Sequence, residues 1–132
     1  LIALDTNVLV RLLVGDDPKQ LMQAESLLRD AREKAIPCFI SDPVLCELEW
    51  VLDSCYDASR TDILTALRDL LSQEEFVFED RQTLVQALDS FQSGKAEFSD
   101  YLIGANGRSR GATATYTFDR DLRHADGFVL LS

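Results

Sequence analysis

Short runs of consecutive apolar residues alternate along this chain with longer stretches in which apolar residues recur every three or four positions. These are the patterns of buried strands and amphipathic helices respectively. Leu1 to Leu4 reads as a buried strand, and Asn7 to Val14 as a short helix capped by Thr6 or Asn7. After "GDDP", Lys19 to Lys34 spaces Leu21, Ala24, Leu27, Leu28 and Ala31 along one helical face. "PCFI" is a second strand. "SDP" then starts a helix running to about Cys55, with Ser41 or Asp42 as cap and Pro43 in the first turn. Ser59 to Leu71 gives a further helix, "FVFE" a third strand and Arg81 to Phe91 another helix. Beyond the polar "QSGKAE", a helix spans about Ser99 to Ser109; "ATATYTF" is a fourth strand and "GFVLL" a short fifth. Strands alternating with helices, without a hairpin signal, predict an α/β fold. The expected form is three-layer α/β/α, with a central parallel sheet of four or five strands covered on both faces. No repeat or long linker interrupts the pattern, so residues 1–132 are expected to form one domain.

Composition narrows the function. With 23 acidic against 13 basic residues the formal charge is -10, which excludes a basic DNA-coating module and opposes binding to an anionic membrane surface. A nucleic-acid enzyme survives this test, because acids gathered around a divalent metal are neutralised locally. Cys38, Cys46 and Cys55 form no CxxC pair and His124 stands alone, which disfavours zinc. The apolar surroundings of the cysteines make them small core residues in a reducing compartment. No apolar stretch approaches membrane-spanning length and no basic leader opens the chain, so a cytoplasmic location is expected. The missing initiator methionine suggests that the numbering starts slightly inside the natural chain.

The informative residues are carboxylates. Asp5 ends the first strand, at the edge of a parallel sheet where ligands bind near a reversal of strand order. In "DPVLCELEWVLDSC", Val44, Leu48, Val51 and Cys55 define a buried stripe; Glu47 falls on its border and Glu49 nearer to solvent. Asp100 opens a helix running antiparallel to the fourth strand, so it meets the same edge. Asp119 follows that strand, and Asp121 serves as an outer ligand or a cap. Each has a plain structural alternative, helix capping for Asp5 and first-turn dipole matching for Asp100 among them. Gly104, one turn after Asp100, invites close packing against the central strand.

Asp5, Glu47, Asp100 and Asp119 on one edge would repel one another as bare anions; a cation or protonation must relieve them. Oxygen ligands suit magnesium or manganese, and such a site suits phosphodiester hydrolysis.

The segments "ALDTNVLV", "DPVLCELEWVL", "FSDYLIG" and "TFDRDL", in order over essentially the whole chain, resemble the PIN-domain family, and within it the VapC-like toxin ribonucleases. The resemblance implies that Asp5, Glu47, Asp100 and Asp119 form the metal-binding set and that Asn7 and Thr117 support it. It further implies Mg2+- or Mn2+-dependent endoribonuclease activity on tRNA, rRNA or mRNA, leaving 5'-phosphate and 3'-hydroxyl ends. A cognate antitoxin protein that fills the groove, and a homodimer, are implied as well.

RNA also needs cations along its backbone. Arg11, Arg108, Arg110 and Arg120 lie in or beside the relevant elements and offer a basic rim; the alternative is four solvated surface residues. Phe98 and Tyr101 either stack a base or pack in the core, and His124 reads as a loop histidine rather than a general base. Trp50 is either an interface anchor or packs under the Ser59 to Leu71 helix, while the apolar surplus between Asn7 and Lys34 offers a surface for a second subunit or an antitoxin.

Receiver-like phosphoacceptors expect a paired acid after the first strand and a lysine late in the sheet, both missing here. A haloacid-dehalogenase-like phosphatase expects its second aspartate where Asn7 stands. The non-enzymatic rival is a catalytically silent PIN-like RNA- or protein-binding module. It would have lost one or more of the four acids, and all are present.

Overall fold

The computed structural model describes all 132 residues. The chain divides into two compact units, Leu1–Glu79 and Asp80–Ser132.

In the first unit, β1 (Ile2–Ala3), β2 (Cys38–Ile40) and β3 (Phe76–Phe78) form a parallel sheet in the order β1-β2-β3. Ile2 lies beside Cys38, and Ile40 beside Phe78. α1 (Thr6–Val14) and α2 (Pro18–Glu33) connect the first two strands; α3 (Asp42–Tyr56) and α4 (Arg60–Ser72) connect the next two. α1 packs on α2 and α3, and α3 on α4. The helices begin where polar caps stand: Asp5, Asp17, Ser41 and Ser59 each accept a backbone N–H of the following turn. Leu9, Cys38, Ile40, Leu45, Leu48 and Leu67 are sealed from solvent. Burying each large aliphatic side chain contributes about 1.5–3 kcal/mol before chain entropy is charged against it.

In the second unit, α5 (Arg81–Ser93) packs against α6 (Phe98–Ser109), and β4 (Thr115–Thr117) pairs in parallel with β5 (Phe128–Leu130). A short 3-10 turn, Arg120–Leu122, lies between the strands. Phe91 meets Phe98 edge to face at 6.3 Å, and Tyr101 meets Phe128 in the same way at 6.4 Å. Gly104 admits the Phe128 ring: a methyl group there would stand 2.5 Å from Cζ. The close approach expected at this glycine is therefore to β5.

The α/β alternation is present, but the single sheet of four or five strands is not. Backbone pairing gives one sheet of three strands and another of two. β1 has only two residues and β4 bonds only to β5, and ladder pairing is a backbone property that hydrophobic runs do not encode. Both-face coverage also fails for the outer strands, where Val77, Tyr116 and Val129 are exposed. Neither sheet reverses its strand order, so neither contains the switch point expected beside Asp5.

Candidate functional site

In the second unit three of the singled-out acids interact. Asp100, at the third position of α6, accepts the Glu97 N–H through Oδ2 at 3.1 Å. Burial pushes the half-buried Asp100 carboxyl above its ordinary value; the Glu97 hydrogen bond opposes this, and the charges of Asp119 and Asp121 push it further up. Asp119 follows β4 and is held at both ends of its own residue: its N–H donates to Thr117 Oγ1 at 3.0 Å, and its Oδ1 accepts the Asp121 N–H at 2.9 Å. Thr117 thus fixes the turn that carries Asp119.

Asp5 and Glu47 belong to the first unit. Asp5 follows β1 and caps α1, its Oδ1 accepting the Thr6 N–H at 2.8 Å. The cap therefore precedes both Thr6 and Asn7, because the strand ends early enough for Asp5 itself to turn the chain. Asn7 is exposed in the first turn of α1. Asp5, Asp100 and Asp119 share one arrangement, in which a backbone N–H holds one carboxylate oxygen. The other oxygen carries no protein hydrogen bond.

The reading of α3 needs correction. Its buried residues are Leu45, Leu48, Glu49 and Leu52, a face turned by one position from the expected stripe. Glu49 is 5% exposed whereas Glu47 lies on the exposed side. Cys55 is exposed as well, so only Cys38 is a fully buried cysteine; burial pushes its thiol up. All three cysteines are free.

The cations divide. The Arg11 guanidinium is engaged by Asp16 at 3.1 Å, by the Tyr56 hydroxyl at 3.3 Å and by Gln20, with Tyr56 donating to Asp16 at 2.8 Å. This network ties the loop after α1 to α3. Arg108 faces Asp126 at 3.5 Å. Arg110 and Arg120 are exposed. Phe98 and Tyr101 are buried in the core, and Trp50, 64% exposed, is not packed away.

Two features carried no decisive sequence signal. Thr6, 2% exposed, has a hydroxyl without a hydrogen-bond partner; it had suggested only a cap. Glu79, the acid directly after β3, accepts the Asp42 N–H at the start of α3. Its position after a strand, like those of Asp5 and Asp119, was the available clue.

Within the second unit the donors are oxygen atoms only, and the Asp100 carboxyl is pushed up first by burial and then by Asp119 and Asp121, a chemistry that suits a hard divalent cation. No group of three or more His, Cys, Asp or Glu side chains is gathered closely enough to hold one.

Residues 2–128 match the PIN domain, and the chain belongs to the PIN-domain family. It is also similar to the "VapC ribonuclease" of Aquifex aeolicus (strain VF5), 26% identical over 117 residues, covering 89% of this chain and 86% of that one. No solved structure matches. No helix is long and apolar enough to cross a membrane.

Proposed function

We propose that this chain is a metal-dependent endoribonuclease, hydrolysing RNA phosphodiester bonds to 5'-phosphate and 3'-hydroxyl products, and a toxin restrained by a cognate antitoxin. The observation that carries the reading is the match of residues 2–128 to the PIN domain, supported by the Asp119 turn, in which Thr117 and the Asp121 N–H fix the Asp119 residue. Asp5, Glu47, Asp100 and Asp119 would hold Mg2+ or Mn2+, with Asn7, Thr117 and Asp121 in support. When bound, such an ion supplies an activated water and neutralises charge developing on the phosphate. The protein's own part is orientation: backbone N–H groups fix Asp5, Asp100 and Asp119, and Thr117 holds the Asp119 turn. In this proposal residues 1–132 act as one nuclease domain on tRNA, rRNA or mRNA in the cytoplasm.

Arg120, Arg110 and Arg108 are the candidates for phosphate contact; Arg11 contributes through its network instead. Exposed Leu13, Val14, Met22 and Leu27 support a homodimer or antitoxin surface along α1 and α2, and Trp50 supports another on α3. A catalytically silent RNA- or protein-binding module is the second reading, favoured by the lack of a closed cluster of metal-holding side chains.

Antitoxin-free protein incubated with total cellular RNA and Mg2+ or Mn2+ separates the two. Discrete cuts with 5'-phosphates that vanish with chelator and in Asp5→Asn are expected. Identical RNA profiles for wild type and variant under either metal would overturn the catalytic reading.

A further inference from the structure

The second unit contains a cavity of about 340 Å³ that the acidic cluster does not account for. Ser90 and Ser93 of α5 form one side and Lys95 follows them; Arg120, Arg123 and His124 form another. In a chain of net charge -10, Lys95, Arg120 and Arg123 here outnumber the two acids of the lining, Asp121 and Asp126. Arg120 and Arg123 are exposed and neither makes an ion pair. Asp126 also lines the cavity but faces Arg108. The Tyr101 hydroxyl, on the wall, accepts the Ala96 N–H at 3.2 Å and retains its own proton for donation.

The cavity borders the candidate site. Asp121 lines it and also acts electrostatically on Asp100, while Arg120 is the residue after Asp119. A ligand here would therefore sit next to whatever Asp100 and Asp119 engage. Its volume lies at the lower end of the roughly 300–1,000 Å³ of small-ligand pockets. Two unpaired guanidinium forks suit phosphate oxygens, and the hydroxyls of Ser90, Ser93 and Tyr101 suit the polar edge of a base or a ribose.

We propose that this cavity is a nucleotide subsite that takes one nucleoside monophosphate unit of a single-stranded RNA, adjoining the linkage to be cut. Arg120, Arg123 and Lys95 receive the phosphate, and the hydroxyl side receives the nucleoside. The proposal rests on the nuclease reading and adds the group that would position an RNA strand on an acidic protein. The same chemistry is offered by a free nucleotide, so the test separates the two sources.

Amide chemical-shift perturbation is measured in EDTA on Asp5→Asn protein, so that binding is read whether or not the chain cuts RNA. The probes are the four nucleoside 5'-monophosphates, inorganic phosphate and a single-stranded oligoribonucleotide. Expected are shifts at Ser93 to Lys95 and Arg120 to His124 with monophosphates and oligonucleotide. Adding Arg123→Ala should weaken both at least tenfold with the melting temperature unchanged. Shifts from monophosphates alone would overturn the proposal in favour of a free nucleotide. Equal affinity for inorganic phosphate would overturn the nucleoside contact, and no shift with any of these probes would overturn the site. In protein that retains Asp5, Arg123→Ala should raise KM for a short RNA at least tenfold with kcat little changed. Cleavage with an unchanged KM would overturn the subsite while leaving the nuclease reading intact.

Discussion

Gly94 provides a sharp test of the packing beneath Asp100. The residue follows α5 with an extended backbone, φ -98° and ψ -173°, which alanine adopts freely. The obstacle is space. A methyl group would fall on the Tyr101 hydroxyl, 2.5 Å from ring carbon Cζ and 2.9 Å from the Ser90 carbonyl oxygen. Tyr101 is 5% exposed, takes the Ala96 N–H and packs on Phe128, so its ring cannot yield without loss. Overpacking costs about 1–3 kcal/mol and the broken hydrogen bond about 0.5–1.5 kcal/mol. Reduced freedom of the unfolded chain returns about 0.4–1 kcal/mol. Gly94→Ala should therefore destabilise by about 2 kcal/mol, lowering Tm by roughly 6–10 °C for a chain of this size. Thermal unfolding followed by circular dichroism measures it. In a Tyr101→Phe background the same substitution should cost less, because the hydroxyl overlap is gone; a double-mutant cycle should give a coupling of about 0.5–3 kcal/mol. A Gly94→Ala Tm within about 2 °C of wild type, or strict additivity with Tyr101→Phe, would refute the reasoning.

The remaining predictions follow from burial, charge and ligand chemistry. Burial and neighbouring carboxylates raise the Asp100 carboxyl above 3.8, so ionisation opposes folding: the penalty is absent below 3.8, grows as pH rises through the raised value, and is full above it. Metal-free Asp100→Asn should thus melt above wild type at pH 7, with the gap closing towards pH 4, and an equal gap at both would sink this account. Mg2+ or Mn2+ should raise the wild-type Tm in scanning calorimetry, chelator should reverse it, and Asp100→Asn should lose most of the response. Leu48→Ala, at a fully buried position of α3, should cost about 2–5 kcal/mol in urea unfolding, whereas Trp50→Ala, at 64% exposure, should change stability by no more than about 0.5 kcal/mol.

Every helix and strand read from the hydrophobic pattern has a counterpart within a few residues, because element type follows local period and caps. The α3 face shows where that information stops. Val44, Leu45, Leu48, Val51 and Leu52 contain two overlapping helical stripes, and only the surrounding fold selects the one through Leu45 and Leu52. That choice turns Glu49 inward. Sheet pairing was equally hidden, since strands of two or three residues carry little register information. Of the site, the electrostatic influence of Asp119 and Asp121 on Asp100 follows from the order of the elements, because a helix running antiparallel to the next strand starts near where that strand ends; no three of the acids are gathered closely enough to hold an ion. The cavity was not legible: Lys95 and Arg123 lie in separate polar loops with no period to connect them.

The capping bonds of Asp5, Asp100 and Asp119 bear on how such a protein can change over generations. Asparagine accepts the same backbone N–H about as well as aspartate does, so each of these acids can lose its charge while the chain segment it anchors stays in place. Chemical silence and structural collapse are thereby uncoupled at the positions to which the proposed function assigns the metal. Under the proposed function, a lineage can shed the cleavage activity in one codon change, keep the segments these residues cap in place, and leave the product available for work as a binding partner.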